Sequence, residues 1–323
     1  MAFQPLSRIV SRNFKFDFIR YRAIPFVLSA TLIVASFISL AVQGLNFGID
    51  FAGGALVEVR SDHGVNLAEL RGRLNGLGLG DVAITTFGES GRDVMIRVQE
   101  QAGGDQAQNE ALARVQQELG PGFELRRTEV VGPKVGAELI IDGALAIALA
   151  LIGIMIYVWL RFEWQFAMGA VLSLTHDVIT TIGLFSIFQI EFNLNTVAAV
   201  LTIAGFSIND TVVVYDRVRE MMRRYKKLSL PDLLNFALNS VLMRTIVTTF
   251  TTSLAVIALV VFGGEVLRGF SVAMLWGMVV GTYSTVYVAL PVLVYFDLRR
   301  DDMVGTVSAD QQQVPEYERG PAE

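Results

Sequence analysis

Six stretches of this sequence, 23–42, 139–160, 165–190, 194–215, 245–264 and 270–297, are apolar and nearly free of charge over the length needed to cross a bilayer. About 20 helical residues traverse the roughly 30 Å of hydrocarbon. Six such runs commit the chain to a multi-span membrane bundle, and its 53% hydrophobic and 18% charged content is too apolar for an ordinary soluble domain. Asp142, His176, Asp177 and Asp210 interrupt the pattern. An ionisable group at the centre of a span costs roughly 2.5–3.5 kcal/mol on insertion scales, so these positions demand an explanation.

Lys and Arg concentrate on the cytoplasmic side of span ends. Arg8, Arg12, Lys15, Arg20 and Arg22 precede the first run and Arg161 follows the second. Arg217, Arg219, Arg223, Arg224, Lys226 and Lys227 follow the fourth, and Arg299 and Arg300 the sixth. All four groups fall on one side, which predicts a cytoplasmic leading segment 1–22, a cytoplasmic basic loop or amphipathic helix over 216–244, and a cytoplasmic tail over 298–323. The tail is polar, with QQQ and two prolines, and is expected to be disordered. The first run exceeds the about 7–15 residues of a signal-peptide core and no A-x-A site follows, so it is expected to stay as a span.

Several chemistries are excluded by composition. There is no cysteine, and His63 and His176 are the only histidines, so neither a disulfide nor a thiolate or histidine metal centre is expected. The glycine pairs at Gly53, Gly103 and Gly263 lack the lysine of a phosphate loop, and no G-x-S-x-G elbow occurs. Neither an ATPase nor a hydrolase is predicted, no cofactor is expected, and no nucleic acid is an expected partner. The remaining energy source is an ion gradient, worth about 2.3 kcal/mol per charge per 100 mV.

The segment 43–138 faces outside and reads as a domain of its own. From Asn46 to Arg60 an apolar run, two glycines and an alternation of Val57, Glu58, Val59 and Arg60 predict a strand. Asn66 caps a helix through about Leu77, with Leu67, Leu70 and Leu74 on one face. DVAITTF and RDVMIRV are two strands around a turn at 88–91, Gln106–Leu119 is a second helix, and Phe123–Val131 is a last strand. The order β-α-β-β-α-β predicts a ferredoxin-like α+β sandwich. Such a fold hosts many functions, a passive spacer included.

Within the spans, SLTHDVITT sets Ser173, His176, Asp177, Thr180 and Thr181 in one polar stripe, with Asp177 the deepest carboxylate. Thr202, Gly205 and Asn209 share a face of the fourth run, with Asp210 one residue round the helix and Thr211 beside it. The fifth run opens at Arg244 and continues through Thr245, Thr248, Thr249, Thr251 and Thr252. Asp210 and Arg244 both lie toward cytoplasmic ends, which is compatible with similar depth. Burial disfavours a charged carboxylate and a nearby guanidinium favours it, so moving Arg toward or away from Asp releases or loads a proton. The alternative is static: an interhelical Asp–Arg pair, with threonines bonding their own helix backbone. Arg244 can also snorkel to the interface. Asp142 reads as interfacial, and GMVVG at 277–281 as close helix packing.

FGIDFAGG (47–54), VVGPKVGAEL (130–139), LTHDV (174–178), GFSINDTVVVYDRVRE (205–220) and the MRTIVTT run occur in an order that resembles the SecD/SecF family of bacterial protein-export membrane proteins. That family is distantly similar to RND-type proton-driven transporters. The resemblance implies a six-helix RND-like half with a ferredoxin-like periplasmic domain in the bacterial inner membrane. With six spans it resembles the separate form and not the fused one. It implies SecD as partner, and with it the SecYEG channel, the SecA motor and a translocating preprotein drawn outward by the proton gradient after the ATP-driven stage. The family's essential acid matches Asp210 and its essential arginine Arg244; the HDV element matches His176 and Asp177, and Gly205, Asn209, Thr211 and Thr248 belong to the surrounding motifs. Gly132, Pro133 and Gly136 are expected to absorb motion of the external domain. A small-molecule proton antiporter and a non-driven scaffold remain as rivals, and H⁺ and Na⁺ both suit carboxylates with hydroxyl neighbours.

Overall fold

A computed structural model describes residues 16–296 apart from 81, 89 and 90. The expected disordered tail over 298–323, like Arg8, Arg12, Lys15, Arg299 and Arg300, lies outside the described residues.

The first apolar run forms α1 (Ala23–Val42). A short helix, α2 (Ile49–Ala52), precedes the first strand, β1 (Gly54–Ser61), so the strand expected from Asn46 onward starts only at Gly54. Gly53 and Gly54, with φ of 72° and 118°, make this turn possible, since such backbone angles suit residues without a Cβ. A Cβ on Gly54 would also lie 2.4 Å from the Val98 carbonyl oxygen. Phe51 of α2 is buried and stacks on Phe192.

The external domain continues with α3 (Leu67–Asn75), β2 (Val82–Phe87), β3 (Asp93–Val98), α4 (Gly104–Leu119) and β4 (Phe123–Val131). Its sheet has the order β2-β3-β1-β4 with every pair antiparallel, which is the ferredoxin-like arrangement. Alternate residues Val57, Val59, Val94, Ile96 and Val98 point under the two helices and meet Leu70, Leu74, Val115 and Leu119 in one apolar core. The Asn66 side chain accepts from the Ala68 and Glu69 amides and so starts α3. On the opposite sheet face, cross-strand register aligns Thr85, Met95, Glu58 and Arg127 in a row.

Only Gly132 separates β4 from α5 (Pro133–Arg161), and Gly136 lies in the first turn of that helix. A Cβ on Gly136 would sit 2.9 Å from the Phe51 carbonyl oxygen, so α5 starts hard against α2. The remaining helices are α6 (Trp164–Phe188), α7 (Leu194–Arg224), α8 (Leu230–Phe262), α9 (Gly264–Ser284), a π-helical turn (Thr285–Ala289) and α10 (Leu290–Tyr295). Among the described residues, six helical segments, with α9, the π turn and α10 as one, are long and apolar enough to cross a membrane. α6, α7 and α9 form the interior, whereas α1, α5 and α8 present most of their apolar side chains outward.

The basic segment expected over 216–244 is helical on both sides of a short connection at 225–229, because α7 and α8 continue past the hydrocarbon length. Val214, Val218, Met221 and Met222 keep an apolar face along α7 that packs on Leu233, Leu234, Ala237 and Leu238 of α8. Phe18 and Ile19 join this cluster. The Asn239 side chain accepts from the Phe16 amide, and the Asn235 side chain from the Ile19 amide.

Glycine sets the crossing of α7 and α9. A Cβ on Gly277 would lie 2.4 Å from the Ile203 side chain, and one on Gly281 would lie 3.1 Å from the Ser207 Cβ. Gly277→Leu is therefore expected to destabilise the bundle by about 1–3 kcal/mol or more, the usual cost of overpacking, and to lower the midpoint of thermal unfolding in detergent.

Candidate functional site

Two carboxylates lie inside the bundle in contrasting surroundings. Asp177, on α6, is fully buried. Its Oδ2 accepts from Ser207 Oγ of α7 at 2.5 Å and from Ser284 Oγ of α9 at 2.8 Å, while Oδ1 meets His176 Nδ1 at 3.0 Å. Ser173 Oγ donates to Ser284 Oγ at 2.9 Å, so hydroxyls of α7 and α9 reach the acid and one of α6 backs the second of them. His176 is itself buried, and its Nε2 has no partner among the described residues. Thr180 and Thr181 instead donate to the Asp177 backbone carbonyl. Only part of the predicted stripe is therefore a side-chain network.

Asp210, 5% exposed on α7, is three residues from Ser207. Its Oδ2 is buried with no hydrogen-bond partner among the described residues. Arg244 on α8 is the cation that acts on it electrostatically, yet no ion pair joins the two among the described residues. Arg244 itself lies on the outer surface of the bundle. Thr211, beside Asp210, bridges to the π-helical turn after α9 through a 2.9 Å contact with Thr285 Oγ1. Thr285 opens the π-helical turn, where the α9 backbone departs from regular α geometry next to Ser284.

Of the other predicted positions, Thr202, Gly205 and Asn209 share a face of α7 that points out of the bundle. Thr248 and Thr252 bond their own helix backbone, as the static alternative expects, but Thr249 reaches across to Thr282 of α9 at 2.9 Å. Asp142 is exposed on α5. Gly132 caps α5 in extended conformation and Gly136 is buried against α2.

Ser207, Ser284 and Thr285 were not legible as site residues in the sequence. A signal existed: Ser284 follows Gly281 and Gly277 at helical spacing on the same face of α9. Asp50, within FGIDFAGG, also has a definite role, because its Oδ2 accepts from the Leu194 amide and caps the start of α7.

A six-helix apolar bundle holding one hydroxyl-bound and one partner-poor buried carboxylate, with one small external α+β domain, defines a multi-span membrane protein. Residues 111–299 match the family model for the protein export membrane protein SecD/SecF, C-terminal, and residues 38–65 match the SecD/SecF GG motif. A protein translocase subunit SecF of Rickettsia akari is 43% identical over 93% of this chain and 97% of its own length. Another, from Cereibacter sphaeroides, is 43% identical over 91% of this chain and 95% of its own. The crystal structure of SecDF, a translocon-associated membrane protein from Thermus thermophilus, superposes with a TM-score of 0.78 at 32% identity, covering 90% of this chain. This chain spans 40% of that SecDF chain. A second SecDF structure, in a super-membrane-facing form, gives a TM-score of 0.64 over the same share. The chain belongs to the SecD/SecF family of protein-export membrane proteins. The segment matched by the GG-motif model contains Gly53 and Gly54, the helix-to-strand turn into the external domain.

Proposed function

We propose that this chain works with SecD in the bacterial inner membrane, where the proton-motive force acts through Asp210 and Arg244 to complete preprotein translocation through SecYEG after the SecA stage. The observation that carries this reading is the state of Asp210: buried, with one oxygen unpartnered, and near a guanidinium that it does not pair with. A static interhelical pair would bring the two groups into contact. A carboxylate left short of partners inside a span is instead poised to take a proton or a counter-charge.

Asp177 and His176 belong to the same relay as its fixed end, held by Ser207 and Ser284 from the two helices that cross beside Asp210. A change of charge at Asp210 alters its attraction to Arg244, shifts α7 against α8, and passes to the external domain through the α2–α5 contact at Gly136. Gly132, alone between strand and span, is the pivot. The outward face of Thr202, Gly205 and Asn209 is the surface for a SecD helix, because polar side chains and glycine on the rim of a bundle favour close helix association. Both termini face the cytoplasm, in line with the basic residues around Arg217–Lys227.

Inner-membrane vesicles containing SecYEG and SecD, with a precursor stalled partway and SecA inactive, test the reading. Adding this chain is expected to make completion depend on an imposed proton gradient. Equal completion with and without the gradient overturns it.

A further inference from the structure

Between the open face of the external sheet and the outer ends of the helices lies a cavity of about 580 Å³. Volumes of this order hold small ligands or short peptide segments. Its roof is the row Thr85, Met95, Glu58 and Arg127, and its floor comes from α2, the α6–α7 connection and the start of α9. Leu56, Ile49, Ile190 and Val266 add apolar wall.

The charged residues lining this space are unequal. Asp50 accepts from the Leu194 amide, Arg127 pairs with Glu129 on its own strand, and Glu191 and Arg268 each already have a partner. Glu58 differs: its Oε1 is buried with no hydrogen-bond partner among the described residues. Arg127 stands directly across from Glu58 in the strand register, yet its guanidinium is drawn to Glu129. Asp93, one further neighbour, is 3.8 Å from Arg60. A carboxylate oxygen kept from water without a donor is costly, and a cation brought by a ligand removes that cost.

We propose that this cavity binds a basic side chain, lysine or arginine, carried on an extended segment of translocating polypeptide. The apolar wall covers the aliphatic stem and Glu58 receives the charged tip, the division of labour that such amphipathic side chains favour. The inference rests on the reading of this chain as an export subunit, which brings a polypeptide to the outer surface. A free polyamine shares the ammonium chemistry and is separated by the test.

The charge environment predicts a pH dependence. Burial raises the Glu58 carboxyl above its ordinary value; Arg127 pulls it back, while Glu129 and Asp93 raise it further. The charged groups on the cavity floor are Asp50, Glu191 and Arg268. A cation favours the ionised carboxylate, so binding is strongest above the raised value and weakens as pH falls through it.

The experiment uses the full chain in lipid nanodiscs and a fluorescent ten-residue peptide with one central lysine in a leucine and threonine background. The expected result is affinity about tenfold above that of the Lys→Gln peptide, the scale of one hydrogen bond to a charged group. Glu58→Gln is expected to erase this preference, and Met95→Trp, which fills the roof directly across from Glu58 while keeping the carboxylate, to erase binding. Equal affinity for both peptides, an unchanged preference in Glu58→Gln, or tighter binding of spermidine than of the lysine peptide overturns the proposal. Binding in nanodiscs is read without a proton gradient, SecD or SecYEG, so a failure of the proton-driven reading in the vesicle assay leaves this result standing and the two remain distinguishable.

Discussion

Asp210→Asn is expected to reduce completion of a stalled precursor under a proton gradient to the rate seen without one, while SecA-driven initiation proceeds as in wild type. The substitution keeps size and hydrogen-bonding capacity but removes the titratable group. Asp210 Oδ2 has no partner among the described residues, so the change breaks no hydrogen bond at that atom and folding is expected to survive. The gradient supplies about 2.3 kcal/mol per charge per 100 mV only to a group that can take up and release that charge, and Asn cannot. Arg244→Ala is expected to give the same loss through the other partner. Vesicles reconstituted with each variant, assayed with and without an ionophore, measure both. Gradient-dependent completion in Asp210→Asn would assign Asp210 a structural role.

The second large effect lies at Asp177 and is one of stability. Asp177→Ala removes the acceptor for Ser207 Oγ and Ser284 Oγ and the partner of His176 Nδ1, all within the buried interior. At about 1–3 kcal/mol for each buried polar group left unsatisfied, the bundle is expected to lose several kcal/mol. The measurement is thermal unfolding of the purified protein in detergent. Ser284→Ala removes one donor to the acid and is expected to cost about 0.5–3 kcal/mol, while Asp210→Asn should leave the midpoint nearly unchanged. Equal losses at the two aspartates would erase the distinction between a fixed and a poised carboxylate.

Glu58→Gln adds a smaller effect with a definite sign. Because burial raises the Glu58 carboxyl, the folded domain binds that proton more tightly than the unfolded chain. Between the ordinary and the raised value, stability therefore falls as pH rises. The variant is expected to be more stable than wild type at neutral pH and equal to it in acid, as read by hydrogen exchange of the β1 amides.

Much of the fold was legible because its signals are local. The six apolar runs, the Asn66 cap and the alternation in β1 depend on neighbours a few residues apart. The short helix at Ile49–Ala52 was hidden, since FGIDFAGG holds apolar residues that suit a strand as well and only docking against α5 and Phe192 decides between them. The helical extensions across 216–244 were obscured by charge, because Arg and Lys alternate there with the apolar face that packs on Leu233 and Leu234. Asp177, Asp210 and Arg244 stood out by chemistry alone, as ionisable groups in or beside apolar runs. Ser207 and Ser284 did not, because a serine in a span is cheap and common enough to carry no signal until its neighbour is known.

Residue order and composition suffice to show that the chain spans a membrane, where its spans fall, that one small α+β domain stands outside them, and which carboxylates are costly enough to matter. Each follows from transfer energies and periodicities that a residue carries wherever the chain goes. Packing alone set Asp177 of α6 against hydroxyls of α7 and α9, left Asp210 with an unpartnered oxygen, and made Glu58 line a cavity between domain and membrane. Hydrogen bonds and ion pairs depend on distances of a few tenths of an ångström between residues far apart in sequence, and those distances exist only once the helices have packed.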